Sequence, residues 1–155
     1  RVRLPRAFDV VVSEMVGNEA FEEGLLPVLE RARRLFLRRG GALVPEWVAL
    51  AAAPVRAPVS LGLSPPLLEA ASVAALTAHV PRNLHPADLV PLAPGRELLR
   101  LDLHTARAGE PLSIARARFR VAEGRSVGGI AVWVVMGLGP GVRLSSRGSG
   151  RSSEP

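Results

Sequence analysis

The sequence predicts an α/β plus β architecture, in which a strand, a helix and a second strand lead into an antiparallel, β-rich region. Three observations predict it. Residues 8–13, FDVVVS, are a short apolar run with β-branched side chains, the pattern of a buried parallel strand. Leu25, Val28, Leu29, Ala32, Leu35 and Phe36 then recur at three- and four-residue spacing and make one helical stripe. Further on the period drops to two: in LLRLDLH (98–104), Leu99, Leu101 and Leu103 fall on one face.

Taken in order, Glu14 stands at the end of the first strand, the end that borders the ligand crevice in open α/β sheets. Pro27 is tolerated only in the first turn of a helix, so the helix starts near Glu23 to Leu25. Gly40 and Gly41 supply its stop, with acids before it and Arg38 and Arg39 at its end to suit the helix dipole. Residues 42–44 and 47–55 read as extended, with a break at Pro45. Residues 113–122 alternate, and VGGIAVWVVM (127–136) reads as a longer buried strand. Between 47–55 and 98–104, residues 60–95 are proline-dense, with a short helical candidate at 66–78. From 143 onward, RLSSRGSGRSSEP has nothing to bury and reads as a disordered tail.

Composition narrows the function classes. The 155 residues suffice for one domain with a core, or parts of two, and 48% are hydrophobic. The absence of cysteine excludes disulfides, thiolate metal sites and cysteine nucleophiles, and fits a cytoplasmic location. No run of 18 apolar residues is present, so no membrane partner is expected. The net charge of +6 comes entirely from arginine, spread along the chain. With four Phe, two Trp and no Tyr for base stacking, nucleic acid is not the expected partner. Three widely spaced histidines, His79, His85 and His104, read as surface or turn residues, and no metal site is expected. Trp47 and Trp133 lie in apolar strands and read as core.

The most informative stretch is VVVSEMVGNEAFEEGLL (10–26), where Glu14, Glu19, Glu22 and Glu23 crowd behind the first strand of an acid-poor chain. Acids before a helix can serve its dipole alone, at about 0.3–1 kcal/mol each. The surroundings carry more. Ser13-Glu14 ends a strand, Gly17 follows three residues later, Glu23 stands nine after Glu14, and an amphipathic helix leads to Gly40-Gly41 and Val44-Pro45. This arrangement resembles the protein arginine methyltransferases, in which two such acids form the double-E loop. The similarity extends more weakly through LLRLDLHTA (98–106), the strand pair near 117–135 and GVRLSS (141–146). Met15 and Asn18 replace aromatic residues of the family, which makes the chain resemble a divergent, bacterial-type relative.

The resemblance implies a fold and a chemistry. Residues 1–45 would be the C-terminal piece of a Rossmann-like methyltransferase sheet, 46–142 an antiparallel β-barrel-like domain for substrate binding or dimerisation, and 143–155 the tail. Glu14 and Glu23 would be the catalytic pair that orients the guanidinium of a protein or peptide arginine. Glu22 is the competing candidate, and Glu19 reads as a solvated or capping residue. S-adenosyl-L-methionine would be the donor. The glycine-rich turn that holds it, and hence most of its site, would lie upstream of Arg1, so the chain reads as a fragment inactive by itself. GLGPG (137–141) does not replace that turn, because no helix follows it. Residues 62–91 occupy the place of a dimerisation arm, consistent with a homodimer, and Arg147-Gly148 and Gly150-Arg151 have the context of methylated arginines. Two alternatives stay open: a methyltransferase acting on another acceptor, and a non-catalytic β-barrel module that dimerises or binds a partner.

Overall fold

A computed structural model describes residues 8–17, 20–21, 23–56 and 89–147. The N-terminal unit is a strand, helix and strand: β1 (Phe8–Val12), α1 (Leu25–Leu35) and β2 (Leu37–Val44). The two strands are parallel, with Val10 opposite Ala42, Val11 opposite Leu43 and Val12 opposite Val44. A parallel pair needs a crossover connection, and α1 supplies it. The helix starts where the sequence places it, behind Gly24 in the left-handed conformation, and buries Leu25 and Leu29. Val28, assigned to the same stripe, is exposed.

Its end differs from expectation. The helix stops at Leu35, and Gly40 and Gly41 lie inside β2 rather than at a helix terminus. Pairing with β1 is what ends it: the Phe8 N–H donates to the Phe36 carbonyl at 2.9 Å, and Leu37 sits opposite Phe8. The glycines serve the irregularity that follows, where the register shifts between Phe8 and Val10. Gly40 takes a φ of 74°. A Cβ on Gly41 would lie 2.6 Å from Leu37 Cδ1 and 2.8 Å from the Asp9 carbonyl oxygen, closer than side chains pack. Arg38, expected at the helix end, instead pairs with Asp9 across this bulge at 2.5 Å, and the basic residues of the last helical turn are Arg33 and Arg34.

After Val44 and a cis Pro45, the chain enters a curled, half-barrel antiparallel sheet: β3 (Trp47–Arg56), β4 (Val90–Pro91), β5 (Arg96–Asp102), β6 (Gly129–Gly139) and β7 (Val142–Ser145). Strand β3 is central. One edge pairs with β6 from Trp47 to Val55, and the other with β5 up to Ala52 and with β4 at Val55 and Arg56. Its Pro54 breaks no ladder. The Pro54 carbonyl accepts from the Leu92 N–H at 2.9 Å, so the missing donor faces the interval between β5 and β4.

Two further expectations are corrected. Residues 143–145, the start of the expected tail, belong to a strand, Val142–Ser145, paired with β6, and Ser146 bonds Val134 through both its N–H and its Oγ. GLGPG is therefore the β6–β7 hairpin turn. Residues 113–122 form no strand: Ala117, Phe119 and Val121 alternate in exposure with their neighbours, but the segment's one backbone bond to a strand runs from the Ala115 N–H to the Leu98 carbonyl. The helical candidate at 66–78, and residues 148–155, lie outside the described residues.

Both units share one core. Leu25, Leu29 and Leu43 pack with Val48 and Val134 of the sheet and with Leu103 just past β5, joined by Met15, Val16, Phe21 and Met136. Polar ties reinforce the seam. Arg33 donates to the carbonyls of Leu103 (2.6 Å) and Ala106 (3.1 Å), and Glu30 accepts from the Ala108 N–H at 2.9 Å. A smaller cluster of Ala51, Ala53 and Trp133 lies apart from this core. Strand β1, expected to be buried, is not: Phe8, Val10 and Val12 are exposed, because β2 is its single strand neighbour among the described residues.

Candidate functional site

The described part of the loop between β1 and α1 is anchored by its backbone and its apolar side chains. The Ser13 N–H donates to the Val44 carbonyl at 2.8 Å, extending the parallel pairing by one residue. Its Oγ then accepts from the Met15 N–H at 3.3 Å, and the Val16 N–H bonds the Glu14 carbonyl at 2.8 Å, which turns the chain away from the strand. Met15, Val16, Phe21 and the fully buried Ala20 drop into the shared core. Ala20 holds a φ of 70°, a conformation non-glycine residues take seldom. With the apolar members facing inward, Glu14 and Glu23 are left on the surface.

The two predicted acids thus stand at opposite ends of one anchored loop, Glu14 two residues past β1 and Glu23 beside the helix-leading Gly24. Neither has a charged side-chain partner among the described residues. Glu19 and Glu22 lie outside the described residues, as do His79 and His85.

The same end of the molecule holds groups that sequence reasoning passed over. Val44 is opposite Val12, so Glu46 leaves β2 in step with Glu14 leaving β1. Glu46 is fixed on both sides: its N–H donates to the Gly137 carbonyl at 2.7 Å and its carbonyl accepts from Leu103 N–H at 2.9 Å. Together with Trp47, Arg100, Asp102 and His104 it lines an open cleft of about 470 Å³. Arg100 lies over the Trp47 ring at 3.8 Å, and Arg143 at 5.8 Å. Trp47 is therefore a half-exposed platform, not a core residue, whereas Trp133 is buried as expected. His104 is a turn residue, its N–H donating to Asp102 Oδ1 at 2.8 Å. The one signal for this cleft in the sequence was a carboxylate directly after Val44-Pro45.

Beside it, Arg100 grips Glu97 through bonds of 2.6, 2.9 and 3.1 Å. The guanidinium hydrogen bond holds the Glu97 carboxyl below its ordinary range, and Glu97 in return raises Arg100. No helix of the described residues is long and apolar enough to cross a membrane.

No family model matches this chain, and no curated protein does.

Proposed function

We propose that this chain carries the acceptor side of an S-adenosylmethionine-dependent methyltransferase of the kind the protein arginine methyltransferases represent. Glu14 and Glu23 grip the guanidinium of a peptide arginine. The observation behind this reading is that both carboxylates sit exposed on one core-anchored loop at the carboxyl end of a parallel strand pair, where open α/β sheets bind ligands. In this reading, β1, α1 and β2 are the closing piece of a Rossmann-like sheet, and the antiparallel sheet is the barrel domain.

A guanidinium is planar, permanently charged and offers its donors in a fork that carboxylates match two at a time. Two carboxylates approaching from either end of a loop fix both its plane and its direction, so positioning and preorganised charge do most of the work. The described residues do not fit the donor. No glycine-rich turn joins a parallel strand to a helix here, and GLGPG closes a hairpin. No step of the transfer is therefore assigned to a donor pocket in this chain.

Methylation of an arginine peptide by the chain extended upstream of Arg1 tests the proposal. Glu14→Gln and Glu23→Gln should each abolish it. Unchanged methylation in both variants would remove Glu14 and Glu23 from the acceptor site, and no methylation of the arginine peptide by the unsubstituted chain would favour a different methyl acceptor.

A second reading, a module that pairs with a copy of itself, draws on Ile130, Val132, Val142 and Leu144, large apolar side chains exposed on β6 and β7. Sedimentation over a range of concentrations separates the two readings: a tight dimer with no response to arginine peptides would favour the module.

A further inference from the structure

Arg96, Arg116 and Arg118, apart in the sequence, meet at one place in the fold. The Ala115 N–H bonds the Leu98 carbonyl at 2.7 Å, which lays the segment after β5 back along that strand. Arg96, Glu97, Arg116, Ala117 and Arg118 then line a second open cleft of about 430 Å³. Exposure alternates along the segment, with Arg116, Arg118 and Arg120 exposed and Ala117, Phe119 and Val121 half-buried. The one carboxylate in the cleft, Glu97, is already taken by Arg100. Arg96, Arg116, Arg118 and Arg120 have no carboxylate partner among the described residues.

We propose that this row of arginines binds the phosphodiester backbone of a nucleic acid, independently of the loop carrying Glu14 and Glu23. Three features favour phosphates. Guanidinium forks match phosphate oxygens in bidentate fashion. Exposure alternates with period two, and alternate residues of an extended chain recur every ~6.6 Å, the scale of the separation between successive phosphates of one strand. The cleft's lining includes no aromatic side chain, so no base stacks there and charge carries the binding. The shortage of aromatics in the sequence excludes base stacking, not this mode.

Binding of a fluorescein-labelled 20-base-pair DNA duplex of mixed sequence to the 155-residue chain, followed by anisotropy at several salt concentrations, tests it. Four phosphate contacts predict a slope of log K against log salt of about −3.6, or about a hundredfold loss of affinity between 50 and 200 mM. Arg116→Ala/Arg118→Ala/Arg120→Ala should flatten the slope to about −0.9. Arg116→Lys/Arg118→Lys/Arg120→Lys should keep most of it, and Arg31→Ala/Arg34→Ala/Arg39→Ala, with the same change of net charge as the first triple, should leave it intact. Equal losses in the two alanine triples would overturn the proposal, because binding would then follow net charge rather than this cleft. Displacement of the duplex by polyglutamate at equal charge concentration would overturn it too, assigning the cleft to an acidic protein segment.

Discussion

Strands β1 and β3 are both apolar, yet they end in opposite environments. FDVVV is the better strand by composition, and it is left with Phe8 at 38%, Val10 at 48% and Val12 at 74% exposure. WVALAAAPVR is rich in alanine, a poor strand former, and carries an internal proline. It is nonetheless buried from Val48 to Val55 but for half-buried Leu50, because β6 runs along one edge and β5 and β4 share the other. Burial follows from neighbours, which an intrinsic strand preference does not supply. Small side chains are also what the second cluster requires, since Trp133 fills the space above Ala51 and Ala53.

The sharpest way to break this contrast is at the seam, where the two regions meet. Leu25 is fully buried against both, so Leu25→Ala should cost about 2–5 kcal/mol and shift one cooperative transition in denaturant. Two separated transitions, with the sheet unaffected, would mean that the regions fold independently. Next in size is the sheet's own close contact. A Cβ at Gly137 would run into the Trp47 indole, so Gly137→Val should cost about 1–3 kcal/mol. It should also alter the near-ultraviolet dichroism of Trp47 by displacing the ring from Arg100.

The smallest effect concerns the exposed Arg100–Glu97 pair. The folded-state Glu97 carboxyl is held below its ordinary range, so its contribution is complete above that range and is lost as the pH falls through it toward the lowered value. Solvent screening keeps this slight. An acid titration of stability should therefore differ little between wild type and Glu97→Gln above the glutamate range, beyond a small constant offset. The offset should close at acid pH, and one that persists there would place the effect elsewhere.

The same contrast explains what could be read from residues alone. The strand at 8–12, the helix start behind Gly24, the break at Pro45 and the strands at 47–56 and 129–139 all follow from local period and punctuation. Local pattern failed where a distant partner decides. Gly40 and Gly41 read as a helix stop, but β1 captures the chain four residues earlier. RLSS read as tail, but β6 offers an edge to Val142–Ser145. Residues 113–122 had the period of a strand without the ladder of one. At the candidate site, Glu14 and Glu23 were legible because a strand end and a helix start flank them. Glu46, Asp102 and His104 were not, since Asp102 and His104 follow Glu46 by 56 and 58 residues of chain.

The claim that Glu14 and Glu23 hold one cation together is tested most directly by a double-mutant cycle. Calorimetry of an arginine peptide binding to wild type, Glu14→Gln, Glu23→Gln and the double variant, with the citrulline peptide as the neutral control, supplies the four affinities and the baseline. The expected result is that each single change weakens the arginine peptide at least tenfold, that the double change weakens it by less than the product, and that the citrulline peptide is indifferent throughout. Independent, additive losses, or equal binding of the two peptides, would contradict a shared grip on one guanidinium.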